Sequence, residues 1–181
     1  MKIHPYLVGV LFGDGTSYRG IHGAYAVWID QTERNKAILE SEVVPRLRRM
    51  GFRVHFYRYY ARSDRTFKWR ALVYSKELYT AVRETTRRIT EYFGSLHDKD
   101  ARQFIAGFFD AEGTVTDRIV IYDRNLGLLR AVERRLASLG VQYAHIYRFG
   151  SVFGLQIYRK ESQRRFLELV PSRRLKVYLP G

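Results

Sequence analysis

The sequence predicts an α+β protein in which one αββαββα unit occurs twice, and the repeat is visible in the residues themselves. Residues 6–16 recur at residues 104–114, with a glycine, a small residue, an acid, a glycine and a threonine in register. Further matches follow in the same order, at an offset that only shrinks along the chain. Period-two and helical patterns also alternate in the same order in both copies. Such self-similarity indicates an internal duplication.

Each copy begins with an apolar helix, over 5–13 and 103–111, that ends at an acid followed by glycine. The remaining elements of the first copy are predicted as strands at 16–20, 24–31, 52–60 and 67–74, with helices at 34–50 and 76–93. Those of the second copy are predicted as strands at 118–123, 141–148 and 152–158, with helices at 125–139 and 161–169. Gly51 and Gly140 are the predicted C-caps of the amphipathic helices.

The boundary between the copies is predicted near Gly94. Residues 1–94 form the first repeat, 95–99 the linker, and 100–181 the second repeat. Asp100 followed by Gln103 has the spacing of a capping box, which would open the second apolar helix.

The composition excludes several classes of protein. The 181 residues include no cysteine, which excludes a disulfide scaffold, a zinc finger and a thiol nucleophile. No apolar run approaches the roughly 20 residues of a membrane span, so no membrane partner is predicted. The N-terminus has no signal-peptide pattern, which predicts a cytoplasmic protein. A net charge of +14 and a pI near 10.2 predict a polyanionic partner, and nucleic acid is the leading candidate.

Small residues recur four apart in both apolar helices. Gly9 and Gly13 share one helix face, and Gly107 and Ala111 do the same. Glycine inside a helix costs about 1 kcal/mol relative to alanine, so such a pair needs a structural reason. Small residues at this spacing let two backbones approach closely. We therefore expect the two helices to pack against each other along these faces.

That packing would bring Asp14 and Glu112 together at adjacent helix ends. Both the helix dipoles and the like charges oppose their ionisation. A divalent cation would remove the penalty, and it would also use the exposed carbonyls of Gly13 and Ala111, because hard cations take oxygen ligands. The acid pair, Asp14 and Glu112, is thus the candidate metal site.

The segments Leu7–Gly15 (LVGVLFGDG) and Ile105–Gly113 (IAGFFDAEG) resemble the nine-residue motif of LAGLIDADG homing endonucleases. The chain is similar to the compact single-chain, two-motif members encoded in archaeal introns. The likeness covers essentially the whole chain in length, repeat number and element order. The small residues at i and i+4, the acid and the glycine after it are the specific part of the motif.

The resemblance implies two antiparallel four-stranded sheets that form a saddle over DNA. It implies a monomeric, site-specific double-strand DNA endonuclease in which each acid cuts one strand and leaves short 3′ overhangs. The implied cofactor is Mg²⁺, with Mn²⁺ or Ca²⁺ able to replace it for binding. Gln31 resembles the family's strand-end glutamine, and Asp123 takes the matching place in the second copy. The family's lysine near each metal has no clear match, and only Arg34 and Arg118 are candidates for its role.

Strand alternation predicts which side chains face the DNA, except in strand 141–148, where the alternation is not regular. An outward row of Arg, His, Tyr, Lys and Gln suits contacts to base edges and phosphates. The predicted DNA-binding residues are Arg19, Trp28, Asp30, Arg53, His55, Tyr57, Lys68, Arg70, Arg118, Tyr122, Arg148, Gln156 and Tyr158.

Two other functions stay open at this point. An RNA maturase that helps its intron splice would take intron RNA as its partner, and a DNA-binding regulator of the same fold would need no chemistry. The presence of both acids favours the nuclease, because neither alternative needs paired metal ligands.

Overall fold

A computed structural model describes residues 1–177. The helices of the chain are α1 (Pro5–Asp14), α2 (Lys36–Ile38), α3 (Val44–Arg49), α4 (Lys76–Arg87), α5 (Ile89–Gly94), α6 (Asp98–Glu112), α7 (Leu126–Ser138) and α8 (Lys160–Leu169). The strands are β1 (Gly15–Arg19), β2 (Tyr25–Thr32), β3 (His55–Ala61), β4 (Thr66–Tyr74), β5 (Gly113–Val115), β6 (Ile119–Asp123), β7 (Ala144–Phe149) and β8 (Val152–Ile157).

The eight strands form two antiparallel four-stranded sheets with the same topology. Their strand orders are β1-β2-β4-β3 and β5-β6-β8-β7. The registers also correspond, because Gly15 pairs with Ile29 in the first sheet and Gly113 pairs with Ile121 in the second. The predicted α+β class and the duplicated αββαββα plan are therefore confirmed.

The helices α1 and α6 pack against each other at the centre of the molecule. A Cβ placed on Gly9 would lie 2.6 Å from the backbone nitrogen of Phe108, and one placed on Gly107 would overlap the carbonyl oxygen of Tyr6. These glycines are thus required by backbone contact. The close packing predicted from the small-residue spacing is confirmed.

One face of each sheet is covered by helices and the other face is open. In the first sheet Val27, Ile29 and Ala71 are buried against the core that includes α1, while Tyr57 and Tyr74 of the opposite face remain exposed. We call the uncovered side of each sheet its open face. Alternation of side chains along a strand produces this division.

The structure corrects several predicted boundaries. The helix predicted at 34–50 is a mixed run, with a 3₁₀ turn at Glu33–Asn35 and a π turn at Leu39–Val43 between α2 and α3. Pro45 has no N–H to donate to the carbonyl four residues earlier, which accounts for the π turn that precedes α3. The predicted helix 76–93 is divided at Arg88, whose backbone leaves the helical region (φ −117, ψ 36).

Two further boundaries differ from the predictions. The second apolar helix begins at Asp98, with His97 as its N-cap, so the predicted capping box at Asp100 was wrong. The third strand begins at His55 rather than at residue 52. The C-caps are Met50 and Leu139, so the predicted C-caps Gly51 and Gly140 each lie one residue later, where φ of 89° favours glycine.

We predict that Gly107→Ala destabilises the protein by at least about 2 kcal/mol, because the added Cβ overlaps the facing backbone, which cannot move aside. Urea unfolding followed by circular dichroism measures the change. Gly94→Ala is the matched control, since this glycine is also helical but has nothing within 4 Å of its added Cβ. The control should gain about 0.5 kcal/mol. Equal stability of the two variants would contradict the packing.

Candidate active site and nucleic-acid interface

The acid pair lies where α1 and α6 meet. Asp14 and Glu112 are the last residues of the two helices. A Cβ on Gly13 would lie 2.6 Å from the Cβ of Ala111 and 2.9 Å from Cγ of Glu112, so the two helix ends are in direct contact. The structure thus brings together the two acids that the sequence singled out.

Burial and charge make both carboxyls hard to ionise. Burial raises the pKa of Asp14 to about 6, although the Gln31 hydrogen bond, Arg174 and Lys68 act in the opposite direction. Burial also raises the pKa of Glu112 to about 7, helped by the negative charges of Asp14 and Asp123. A cation between the two carboxylates would reverse this effect.

Gln31 and Asp123 flank the acid pair at matching places in the two sheets. Each lies two residues after the isoleucine that pairs with the first glycine of its sheet. The Gln31 amide donates to Oδ2 of Asp14 at 2.5 Å, which holds that carboxylate in place. Asp123 accepts from the backbone N–H of Asn125 at 2.5 Å, and burial raises the pKa of Asp123.

The residues present fit a metal that also draws ligands from its substrate. Within residues 1–177, no group of three or more His, Asp and Glu side chains could hold an ion by itself. Two carboxylates leave most positions around a hard cation free, as expected where phosphate oxygens and water complete the coordination. The carbonyl of Ala111, a predicted ligand, accepts a long hydrogen bond of 3.5 Å from Arg174. Gly13, the other predicted carbonyl ligand, lies at the same junction.

The sequence did not indicate Arg174, a residue that lies close to the acid pair. Its guanidinium donates to the carbonyls of Asp110, at 2.6 Å, and of Gly113, at the end of α6. Its positive charge lowers the pKa of both Asp14 and Glu112. Its Nε is buried without a hydrogen-bond partner in the part of the chain described. Arg174 therefore supplies the nearby positive charge for which the sequence offered only Arg34 and Arg118.

A buried carboxylate, Asp110, holds Arg174 in this position. Asp110 accepts from the hydroxyls of Tyr6, at 2.7 Å, and Ser172, at 2.5 Å. It also accepts from the backbone N–H groups of Arg173, at 2.9 Å, and Arg174, at 2.8 Å. An acid inside the apolar helix pattern was the available sequence signal, but its partners lie far along the chain.

The predicted DNA-binding residues divide by position. In the first sheet the register places Trp28, Asp30, His55, Tyr57, Lys68 and Arg70 on the open face. In the second sheet Tyr122 and Gln156 lie on the open face, and the alternation continues to Arg118 and Tyr158 just beyond the strand ends. The ring of Tyr158 stacks on His145, 5.8 Å away at 10°.

Three predicted contacts lie elsewhere. Arg19 pairs with Tyr25, and Arg148 pairs with Phe153, which puts both arginines on the helix-side face of their sheets at a strand end. Arg53 precedes β3 and lies outside the sheet. An exposed arginine near a strand end does not show from sequence which face it occupies.

Comparison with known proteins agrees with this architecture. Residues 99–171 match the family model described as a LAGLIDADG-like domain. The crystal structure of I-DmoI in complex with DNA and Mn is similar over 92% of this chain and 94% of that one, with a TM-score of 0.72 and 22% identity. The chain has the LAGLIDADG fold. Other I-DmoI structures with this fold contain DNA and Ca, or target DNA in the presence of Mg.

Two relatives are similar in sequence as well. The chain is 29% identical to homing endonuclease I-DmoI of Desulfurococcus mucosus over 147 residues, which cover 77% of this chain and 72% of that protein. It is 27% identical over 180 residues to an uncharacterized protein of Methanocaldococcus jannaschii. That match covers 89% of this chain but 63% of the relative, which is less than two thirds of its length. Both relatives extend beyond the matched regions.

No helix among residues 1–177 is long and apolar enough to cross a membrane.

Proposed function

We propose that this protein is a site-specific double-strand DNA endonuclease that hydrolyses phosphodiester bonds with a divalent metal. The observation that carries the proposal is the acid pair: two carboxyls with raised pKa values at the contacting C-terminal ends of two helices. The +14 net charge suits a duplex. The name of the relative I-DmoI and the DNA in its structures support the same function.

The proposed mechanism assigns each residue one task. Asp14 and Glu112 would hold the metal, with the carbonyls of Gly13 and Ala111 as further oxygen ligands. When bound, Mg²⁺ supplies Lewis acidity and lowers the pKa of a water molecule. Gln31 orients the Asp14 carboxylate through its hydrogen bond, and Asp123 takes the corresponding place beside Glu112.

The pseudo-two-fold arrangement supports one cut in each strand. Each acid ends the motif helix of its own repeat, so each would serve the strand that passes over that repeat. Short 3′ overhangs follow if the two scissile phosphates face each other across the minor groove. A single chain carries both halves of the site, which supports a monomer as the active species. We keep Mg²⁺ as the proposed cofactor, while Mn²⁺ and Ca²⁺ are the proposed substitutes for binding.

Arg174 is the proposed source of positive charge at the reaction centre. Its guanidinium binds the end of α6 and lowers the pKa of both acids, so it favours the ionised carboxylates that a metal needs. The open-face Lys68 also lowers the pKa of Asp14. Arg174 and Lys68 would together supply the positive charge that the family's lysines were expected to supply.

We predict that Asp14→Asn and Glu112→Gln each confine cutting to one strand or abolish it, because each removes a charged oxygen ligand. Supercoiled plasmid carrying the target site should then be nicked rather than linearised, and the double variant should do neither. Duplex binding, measured by gel shift, should persist in all three variants. Glu84→Gln, which removes an exposed acid on α4, is the control and should linearise the plasmid normally.

Full cleavage by the double variant would contradict the mechanism. Tight duplex binding by the wild type with no nicks at any Mg²⁺ concentration would instead indicate the regulator. Rescue of intron splicing that survives loss of both acids would indicate the maturase.

We also predict that Mg²⁺ raises the melting temperature at pH 8 but not at pH 5. A carboxyl whose pKa is raised by folding stabilises the protein below its unfolded pKa, near 4, and this contribution is lost as pH rises through its folded value. For Asp14 and Glu112 the window therefore runs from about pH 4 to about 7. Above it, both acids are ionised and repel each other until a cation binds.

Differential scanning fluorimetry measures this effect with and without Mg²⁺. The double variant Asp14→Asn, Glu112→Gln is the control, and its melting temperature should not respond to Mg²⁺ at either pH. A wild-type shift of the same size at pH 5 and pH 8 would show that the ion binds elsewhere.

A further inference from the structure

A closed cluster of Asp30, Tyr59 and Arg70 occupies the open face of the first sheet. Arg70 donates from Nε and Nη2 to the two carboxylate oxygens of Asp30, both at 2.7 Å. The Tyr59 hydroxyl donates to Asp30 at 2.8 Å and accepts from Nη2 of Arg70 at 3.0 Å. Asp30 thus receives three hydrogen bonds from side chains of its own sheet.

The aromatic rings of Trp28 and Tyr59 also contact the Arg70 guanidinium. The Cζ of Arg70 lies 4.8 Å from the ring centre of Trp28 and 4.5 Å from that of Tyr59. The position of Arg70 is therefore set before any ligand binds, and little further side-chain entropy is lost on binding.

One nitrogen of the guanidinium, Nη1, remains able to donate to a ligand. Within residues 1–177, Nη1 of Arg70 has no hydrogen-bond acceptor. The side chain of Arg70 is 23% exposed on the open face, so a ligand there can reach it. The cluster therefore offers N–H donors to a ligand, whereas the Asp30 carboxylate is already occupied.

This donor pattern selects among the base pairs of the major groove. Guanine presents two acceptors, N7 and O6, and arginine contacts to them are the commonest specific contacts of proteins with DNA. Cytosine presents an amino donor, which cannot pair with the N–H groups of Arg70. The sequence predicts Asp30 as a DNA contact, and in the structure its carboxylate accepts hydrogen bonds from Arg70 and Tyr59.

We propose that Arg70, held by Asp30 and Tyr59, selects guanine at one base pair of the half-site that lies on the first sheet. Asp30 is then a positioning residue rather than a base contact. This inference rests on the proposed function, because it requires duplex DNA on the open face.

The second sheet has no cluster of this kind at the corresponding place, so we expect guanine selection in one half-site. There Tyr122 corresponds to Asp30, and Gly154 corresponds to Arg70 by register. The ring of Tyr147 covers Gly154, and a Cβ on that glycine would lie 2.8 Å from the ring. Tyr147 donates to the Tyr122 hydroxyl at 3.4 Å. Guanine selection at the equivalent base pair of the other half-site is therefore not expected.

Selection of bound sequences from a randomised duplex library, in Ca²⁺ so that binding is the readout, tests the proposal. The wild type should enrich guanine at one position in one half-site. Arg70→Met should reduce that preference by roughly tenfold or more, with the other positions unchanged. Asp30→Asn should weaken the preference at the same position, because the guanidinium loses its charged partner. Arg87→Met removes the same charge from the exposed end of α4, and its sequence profile should match the wild type.

Three results would overturn the proposal. Arg70→Met could weaken binding to all sequences equally, which would assign Arg70 to a phosphate. Arg70→Met could instead change the base preference in both half-sites. Asp30→Asn could leave the guanine preference intact. Cleavage of the selected duplex in Mg²⁺ is assayed separately. A bound but uncut duplex would refute the nuclease while the base preference is still measured, and failure to bind any sequence selectively would refute the inference.

Discussion

The backbones of α1 and α6 are in contact at Gly9 and Gly107, and the candidate site depends on this contact. Side chains larger than hydrogen at these positions would separate the helices and would also separate the acids at their ends. The same contact joins the two sheets, since each motif helix leads directly into the first strand of its own sheet. One steric requirement thus sets both the spacing of the acids and the relation of the two open faces.

The acid pair has an electrostatic cost, and this cost indicates that the pair binds a cation. Two carboxyls meet at the C-terminal ends of two helices, where the helix dipoles add to their repulsion. Burial raises the pKa of both groups, so the metal-free protein holds them partly protonated near neutral pH. The positive charge of Arg174 makes both acids easier to ionise, and the buried carboxylate of Asp110 holds Arg174 in place. A cation bound from solution would offset the repulsion that remains between the two carboxylates.

Local patterns predicted most of the fold and the acid pair. The repeat, the glycine spacing and the strand alternation are properties of neighbouring residues, and each appears in the structure nearly where it was expected. The site residues that the sequence did not reveal depend on interactions between distant residues. Asp110 binds a segment more than sixty residues later, and no spacing rule links it to Arg174. Arg19 and Arg148 show a different limit, which is local, because a strand end does not indicate which face its last side chain takes.

The two repeats have also diverged in a way that matters for recognition. Where the first sheet has the Asp30–Arg70 pair, the second has Tyr122 and Gly154, and the ring of Tyr147 covers that glycine. A symmetric scaffold therefore presents unlike surfaces to the two halves of a duplex. Sequence alignment of the repeats reveals the substitutions, but only the register shows that they occupy equivalent places.

Anomalous diffraction from crystals of the protein with duplex DNA and Mn²⁺ would test the metal site most directly. The account predicts manganese peaks between the carboxylates of Asp14 and Glu112, with Gln31 and Asp123 beside them. Manganese bound away from both acids, or acids separated by the width of a helix, would contradict it.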